Sequence, residues 1–149
     1  FSVNSRKYSI DVAKHLSDKT GLKVIELNPH PKSWNSGFQK LYGSGPREFL
    51  GYILNAEYVV SNSFHGTVFS ILFNKPFFAA FDQKNGQIIW ENRKASLLRT
   101  LGLDFAMVTA STKLDINAIN NINWDMINGR ILKLRNDSML YLDKAVGDK

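Results

Sequence analysis

Seven consecutive residues carry most of the chemistry visible in this chain: Ser61-Asn62-Ser63-Phe64-His65-Gly66-Thr67. They set three hydroxyls, an amide and an imidazole into a run otherwise made of Val, Phe, Ile and Leu. A core excludes such groups unless each finds a partner. Upstream, "EYVVSNS" reads as a strand; downstream, "FHGTVFSILFNK" reads as a helix. The polar residues thus fall at a junction, where a buried strand from Tyr58 to Val60 ends at Ser61 and a helix begins near His65. Ligands of open α/β sheets bind beyond the carboxyl ends of the strands. A helix start attracts anions through its unpaired N–H groups and its dipole. Gly66 lets a ligand approach the backbone closely. Ser63 and Thr67 add hydroxyl donors, and His65 adds an N–H. The same residues also fit a plain helix cap formed by Ser61, Asn62 and Ser63, with His65 packed against a backbone carbonyl. Neither the G-x-S-x-G nucleophile elbow nor the GxxxxGK phosphate loop is present.

The flanking segments alternate in a regular way. "YSIDVAKHLSDKT" predicts a helix with Tyr8, Val12, His15 and Leu16 on one face, stopped by Gly21, and "LKVIEL" predicts a strand. "NPHPKSWNSGFQKLYGSG" reads as a long loop, of the kind that is often functional. A helix follows with Pro46 in its first turn, Ser44 or Gly45 as cap, and Phe49, Leu50, Ile53 and Leu54 as its apolar stripe. After the junction, "PFFAAFD" predicts a strand, "NRKASLLRTLGL" a helix ended by Gly102, and "DFAMVT" a strand. The last segment predicts one long helix with Ile127, Ile131, Leu134, Leu140 and Val146 on an apolar side and Gly129 as its weak point. Helices alternating with short apolar strands imply a Rossmann-like α/β domain, a parallel sheet with helices on both faces.

With 149 residues the chain matches the size of a single domain, and 44% hydrophobic residues fit a globular core. A net charge of +6 favours anionic partners such as phosphates, acidic sugars, nucleic acid or a membrane face. No basic-aromatic pattern or recognition helix singles out nucleic acid, so none is expected as a partner. The absence of cysteine excludes disulfides and thiolate zinc sites and fits a reducing compartment. No metal-ligand spacing appears, and no metal requirement is expected. The longest apolar stretch, Phe64 to Phe81, is too interrupted to span a bilayer. The chain opens Phe-Ser-Val without an initiator methionine, which reads as a piece of a longer protein.

The stretch "GPREFLGYILNAEYVVSNSFHGTVFSILFNKPF" resembles the polysaccharide pyruvyl transferase family. The shared pattern is a helix opening Gly-Pro-x-Glu-Phe, a strand, Ser-Phe-His-Gly, and a helix ending Asn-Lys-Pro-Phe. "NRKASLLRTLGL" is similar to a later family segment, so the likeness runs from about Gly45 to Leu103. The resemblance implies a two-domain fold like that of GT-B glycosyltransferases, with this chain as the C-terminal half and an N-terminal domain as its partner. It implies transfer of pyruvate from phosphoenolpyruvate, an anionic small-molecule donor, to a sugar or lipid-linked oligosaccharide, with no further cofactor. Many members carry an arginine two residues before the motif histidine; Ser63 stands there in this chain. His65 carries over as proton donor or phosphate ligand, Ser63, Gly66 and Thr67 as the lining of the anion site, and Arg93 as a basic residue of the later segment. Arg47, a cation at a helix start, fits either a ligand contact or a solvated side chain. His30 lies in the long loop, and Trp34, Trp90 and Trp124 fit either sugar stacking or packing. A cytoplasmic location, extending to the inner face of the membrane, follows from such an acceptor. A nucleotide-sugar glycosyltransferase of similar fold and a non-catalytic anion-binding or assembly domain are the rival readings.

Overall fold

The structure, a computed structural model, describes residues 3–29, 36–84, 87–88, 93–109 and 111–147. Helix α1 (Val3–Thr20) buries Val12 and Leu16, which lie one turn apart on the same face. Tyr8 is half-buried, but His15 is exposed, so the apolar face is narrower than predicted. Gly21, at φ +72°, ends the helix in the left-handed region that suits glycine. Strand β1 (Ile25–Leu27) follows.

The segment expected to be all loop contains strand β2 (Gln39–Leu41), which pairs with β1 in parallel from Ile25↔Gln39 to Leu27↔Leu41. Gln-Lys-Leu shows no apolar alternation; its strand character comes from the partner, not from local preference. His30 and Trp34 lie outside the described residues. Helix α2 (Pro46–Asn55) starts as expected, with Gly45 rather than Ser44 as its cap and no side-chain capping bond. Ser44 instead donates its N–H to Asn28 Oδ1 at 3.2 Å, and its carbonyl accepts from Asn28 Nδ2 at 3.4 Å. Ile53 is the buried residue of the predicted stripe, while Leu54 faces solvent.

A parallel sheet forms the centre. Strand β3 (Val59–Ser61) leads through helix α3 (Phe64–Leu72) to strand β4 (Phe77–Ala80), in register from Val59↔Phe77 to Ser61↔Ala79. A short antiparallel pair, β5 (Gln83–Lys84) and β6 (Gln87–Ile88), comes next. Helix α4 (Arg93–Leu101), a 3-10 turn (Asp104–Ala106) and strand β7 (Met107–Val108) complete the sheet in the order β3-β4-β7. Helices α5 (Ile116–Asn120) and α6 (Trp124–Gly147) close the described chain. The fold is therefore α/β with parallel strands and helices around them, as expected, but the parallel strands divide between two small sheets. All four residues of β4 are 0% exposed. Successive strand residues face opposite sides, so both faces of this strand are covered. Helices α1 and α3 both pack on β3 and β4.

Two expectations fail for physical reasons. β3 is half-buried throughout, not buried, because it is an edge strand with β4 on one side only. "DFAMVT" begins with a 3-10 turn, because α4 ends in a tight motif: Gly102 N–H donates to Arg99 O at 3.0 Å and Leu103 N–H to Leu98 O at 2.8 Å. Gly102 has φ +71°, and Leu98 and Leu103 are both buried, the apolar contact that accompanies this helix ending. Arg130 of α6 donates to the last carbonyl of α4, that of Leu101. Beyond that anchor the predicted apolar side of α6 leaves the core. Ile127 is buried and Ile131 half-buried, but Leu134, Leu140 and Val146 are exposed. The helix runs unbroken through Gly129. Trp124 packs partly buried against the core, and Trp90 lies outside the described residues. No helix among the described residues is long and apolar enough to cross a membrane.

Candidate active site

The turn between β3 and α3 is built by its own serines. Ser61 Oγ accepts from Ser63 N–H at 3.1 Å and donates to Ser63 O at 3.3 Å, which reverses the chain at the strand end. Ser63 is the helix cap: its Oγ accepts from Gly66 N–H at 3.0 Å. Thr67 N–H donates to Ser63 O at 3.3 Å, and Thr67 Oγ1 donates to the same carbonyl at 3.0 Å. Thr67 and Ser70 are both 0% exposed, and Ser70 Oγ donates to Gly66 O at 2.7 Å. These hydroxyls satisfy themselves on carbonyls one turn back, which is how an apolar helix accommodates them.

Gly66 is required by this packing. A Cβ there would lie 3.0 Å from Ser63 Oγ and 3.1 Å from Ser61 Cβ, and closer still to Ser61 Oγ. Gly66→Ala is therefore expected to destabilise the protein by about 1–3 kcal/mol through overpacking and to disturb the cap. A urea titration checks it; a variant as stable as the parent refutes the tight turn.

With the Gly66 and Thr67 amides used inside the cap, the N–H groups of Phe64 and His65 remain without a protein partner among the described residues. They sit beyond the carboxyl end of a parallel strand, where a helix start draws anions. The His65 side chain is exposed and meets the Phe64 ring edge-on, with centroids 5.9 Å apart. The Phe64 ring also meets Arg93, whose Cζ lies 5.0 Å from the ring centroid. Arg93 opens α4, 28 positions along the chain from His65 by number, yet the fold seats both against the same ring. Arg47 is different. It is exposed at the start of α2, whose contact with α3 runs through Phe49 and Phe69, centroids 6.4 Å apart. Nothing among the described contacts joins Arg47 to the turn.

One residue of this region escaped sequence reasoning. Lys94 is only 7% exposed. Its Nζ donates to Asn62 O at 3.2 Å and Ala80 O at 2.6 Å, and lies 4.1 Å from the Phe81 ring centroid. It thus bridges the carboxyl ends of β3 and β4, directly beneath the turn. Burial pushes its pKa down to about 8, partly opposed by the carboxylate of Asp82. The available signal was periodicity: Lys94, Leu98 and Leu101 share one face of α4, the face that is buried. No group of three or more potential metal-ligating side chains exists among the described residues.

The family model described as polysaccharide pyruvyl transferase matches residues 2–85, which include the His65 turn but not Arg93 or Lys94. Neither a curated protein nor a solved structure matches the chain. Because that match spans more than half the chain and contains the strand, cap and histidine just described, the chain belongs to the polysaccharide pyruvyl transferase family.

Proposed function

We propose that this chain transfers pyruvate from phosphoenolpyruvate to a sugar of a cell-surface polysaccharide or its lipid-linked precursor, forming a ketal. In the reaction, C3 of the donor takes a proton and C2 becomes electrophilic. A sugar hydroxyl attacks C2 and loses its proton. The phosphate leaves with the electrons of its bond to C2, and a second hydroxyl closes the ketal, its proton going to the medium or the phosphate. A positioned acid contributes about 10²–10⁴-fold to such a step. His65 is the group for proton donation or phosphate binding, and the Phe64 and His65 amides form the cradle; Ser63, Gly66 and Thr67, whose polar groups are bonded within the cap, shape it rather than line it. Arg93 supplies a further positive charge beside it.

One observation carries this reading: an exposed histidine stands at a helix start whose first two amides have no protein partner among the described residues. Donors aimed at a phosphate stabilise the charge that develops on it. The net charge of +6 suits an anionic donor and an anionic membrane face. The acceptor is completed by an N-terminal domain in a GT-B-like arrangement, and the enzyme works in the cytoplasm, peripherally at the inner membrane face. No cofactor beyond the donor takes part.

Calorimetric titration of phosphoenolpyruvate into the full-length protein tests the donor. The expected result is binding that weakens or vanishes in His65→Ala. Binding of UDP- or GDP-sugars alone points to a glycosyltransferase instead, and silence toward every donor points to a non-catalytic domain.

A further inference from the structure

A lysine in the first turn of a helix is opposed by the dipole, and a buried one is opposed again by desolvation. Lys94 faces both penalties. The fold meets them with two backbone carbonyls, the face of Phe81 and the charge of Asp82. These partners come from adjacent strands, at the edge where the sheet meets the His65 turn. A methionine would fill the same space without needing them. Such an arrangement marks a group retained for its charge and its reach.

We propose that Lys94 is a positioning residue for pyruvyl transfer: its Nζ ties the carboxyl ends of β3 and β4 together through Asn62 O and Ala80 O, and so sets the anion-binding turn over a buried positive charge. The proposal rests on the donor reading above. It assigns no contact between Lys94 and the substrate; the residue acts through the carbonyl of Asn62 and through its field. A neutral amine still has two N–H groups for the two carbonyls. Deprotonation therefore removes the charge and leaves the tie. Asp82 is the charge that acts on the amine; His65 and Arg93 meet the Phe64 ring of the turn, and Arg130 of α6, which packs on α4, is bound to the Leu101 carbonyl at the far end of that helix. An anion at the turn favours the protonated amine, so its affinity falls as that proton is lost.

The test is calorimetry with phosphoenolpyruvate from pH 7.5 to 10 on the full-length protein, on Lys94→Gln and on His65→Ala. Wild-type affinity is expected to fall about tenfold through pH 8–9, the linkage that a one-unit rise in the Lys94 pKa on binding demands. Lys94→Gln is expected to bind about tenfold more weakly at pH 7.5 and to show no alkaline decline. His65→Ala is expected to keep the decline in whatever affinity it retains. An alkaline limb that persists unchanged in Lys94→Gln, or a wild-type profile that is flat, overturns the proposal. If Lys94→Gln does not fold, Lys94→Met takes its place, with the same expected loss of the alkaline decline. If the wild type binds no phosphoenolpyruvate, the donor reading fails by itself, and the same series with inorganic sulfate, whose charge is constant over this range, decides the role of Lys94. Failure to bind sulfate as well overturns both.

Discussion

His65→Gln in the full-length protein is expected to lower turnover by about 10²–10⁴-fold while changing stability by less than about 0.5 kcal/mol. The contrast follows from where the ring sits. It is exposed and meets the edge of the Phe64 ring, so the fold loses little when it is replaced. The chemistry loses a group that can give a proton. Glutamine keeps an N–H donor but cannot perform that transfer. Turnover lost with phosphoenolpyruvate affinity intact identifies the proton donor; turnover and affinity lost together identify the phosphate ligand. Steady-state rates with parallel calorimetry separate the two. A variant with unchanged turnover removes His65 from the mechanism altogether.

The strand, turn and helix around His65 were legible because three signals agree there. An apolar run ends, a serine caps, and a second apolar run begins with helical spacing. Ser63 was readable as a cap for the same reason. Gly66 was singled out for closeness to a ligand, but what the structure places against it is the pair of serines in its own turn. That contact is three-dimensional and has no trace in local sequence. β2 was invisible because Gln-Lys-Leu becomes a strand only beside β1. The far half of α6 carries the expected apolar residues Leu134, Leu140 and Val146, yet all three are exposed; periodicity reports a face, not its partner. Arg47 reads as a helix-start cation and Arg93 as the basic residue of the later family segment; it is the packing of Arg93 on Phe64 that brings one of them, and not the other, to the turn. Lys94 is hidden in the sequence because a lysine ordinarily marks an exposed position, although its spacing to Leu98 and Leu101 puts it on the buried face of α4.

The buried amine also makes an expectation about stability, with the opposite sign to the one about binding. Its pKa is about 8 in the folded chain against 10.5 ordinarily, and burial is the main cause. Below pH 8 both folded and unfolded chains hold the proton, and the folded state carries the full cost of the buried charge. Between pH 8 and 10.5 the unfolded chain binds a proton that the folded chain has released, so stability rises with pH. The rise attributable to Lys94 is about 3 kcal/mol in all. Other lysines and tyrosines titrate in the same range, so the quantity to measure is the difference between wild type and Lys94→Met in urea unfolding at a series of pH values. That difference is expected to shift in favour of the wild type by about 3 kcal/mol from pH 7.5 to 10.5. A constant difference would mean that the amine is solvated and its two carbonyl bonds are incidental. A rise in stability accompanied by the loss of anion affinity is the combination to look for. A lysine kept only to join two strands moves the first quantity and leaves the second unchanged; a lysine kept for its charge beneath the His65 turn moves both, in opposite directions, over the same pH interval.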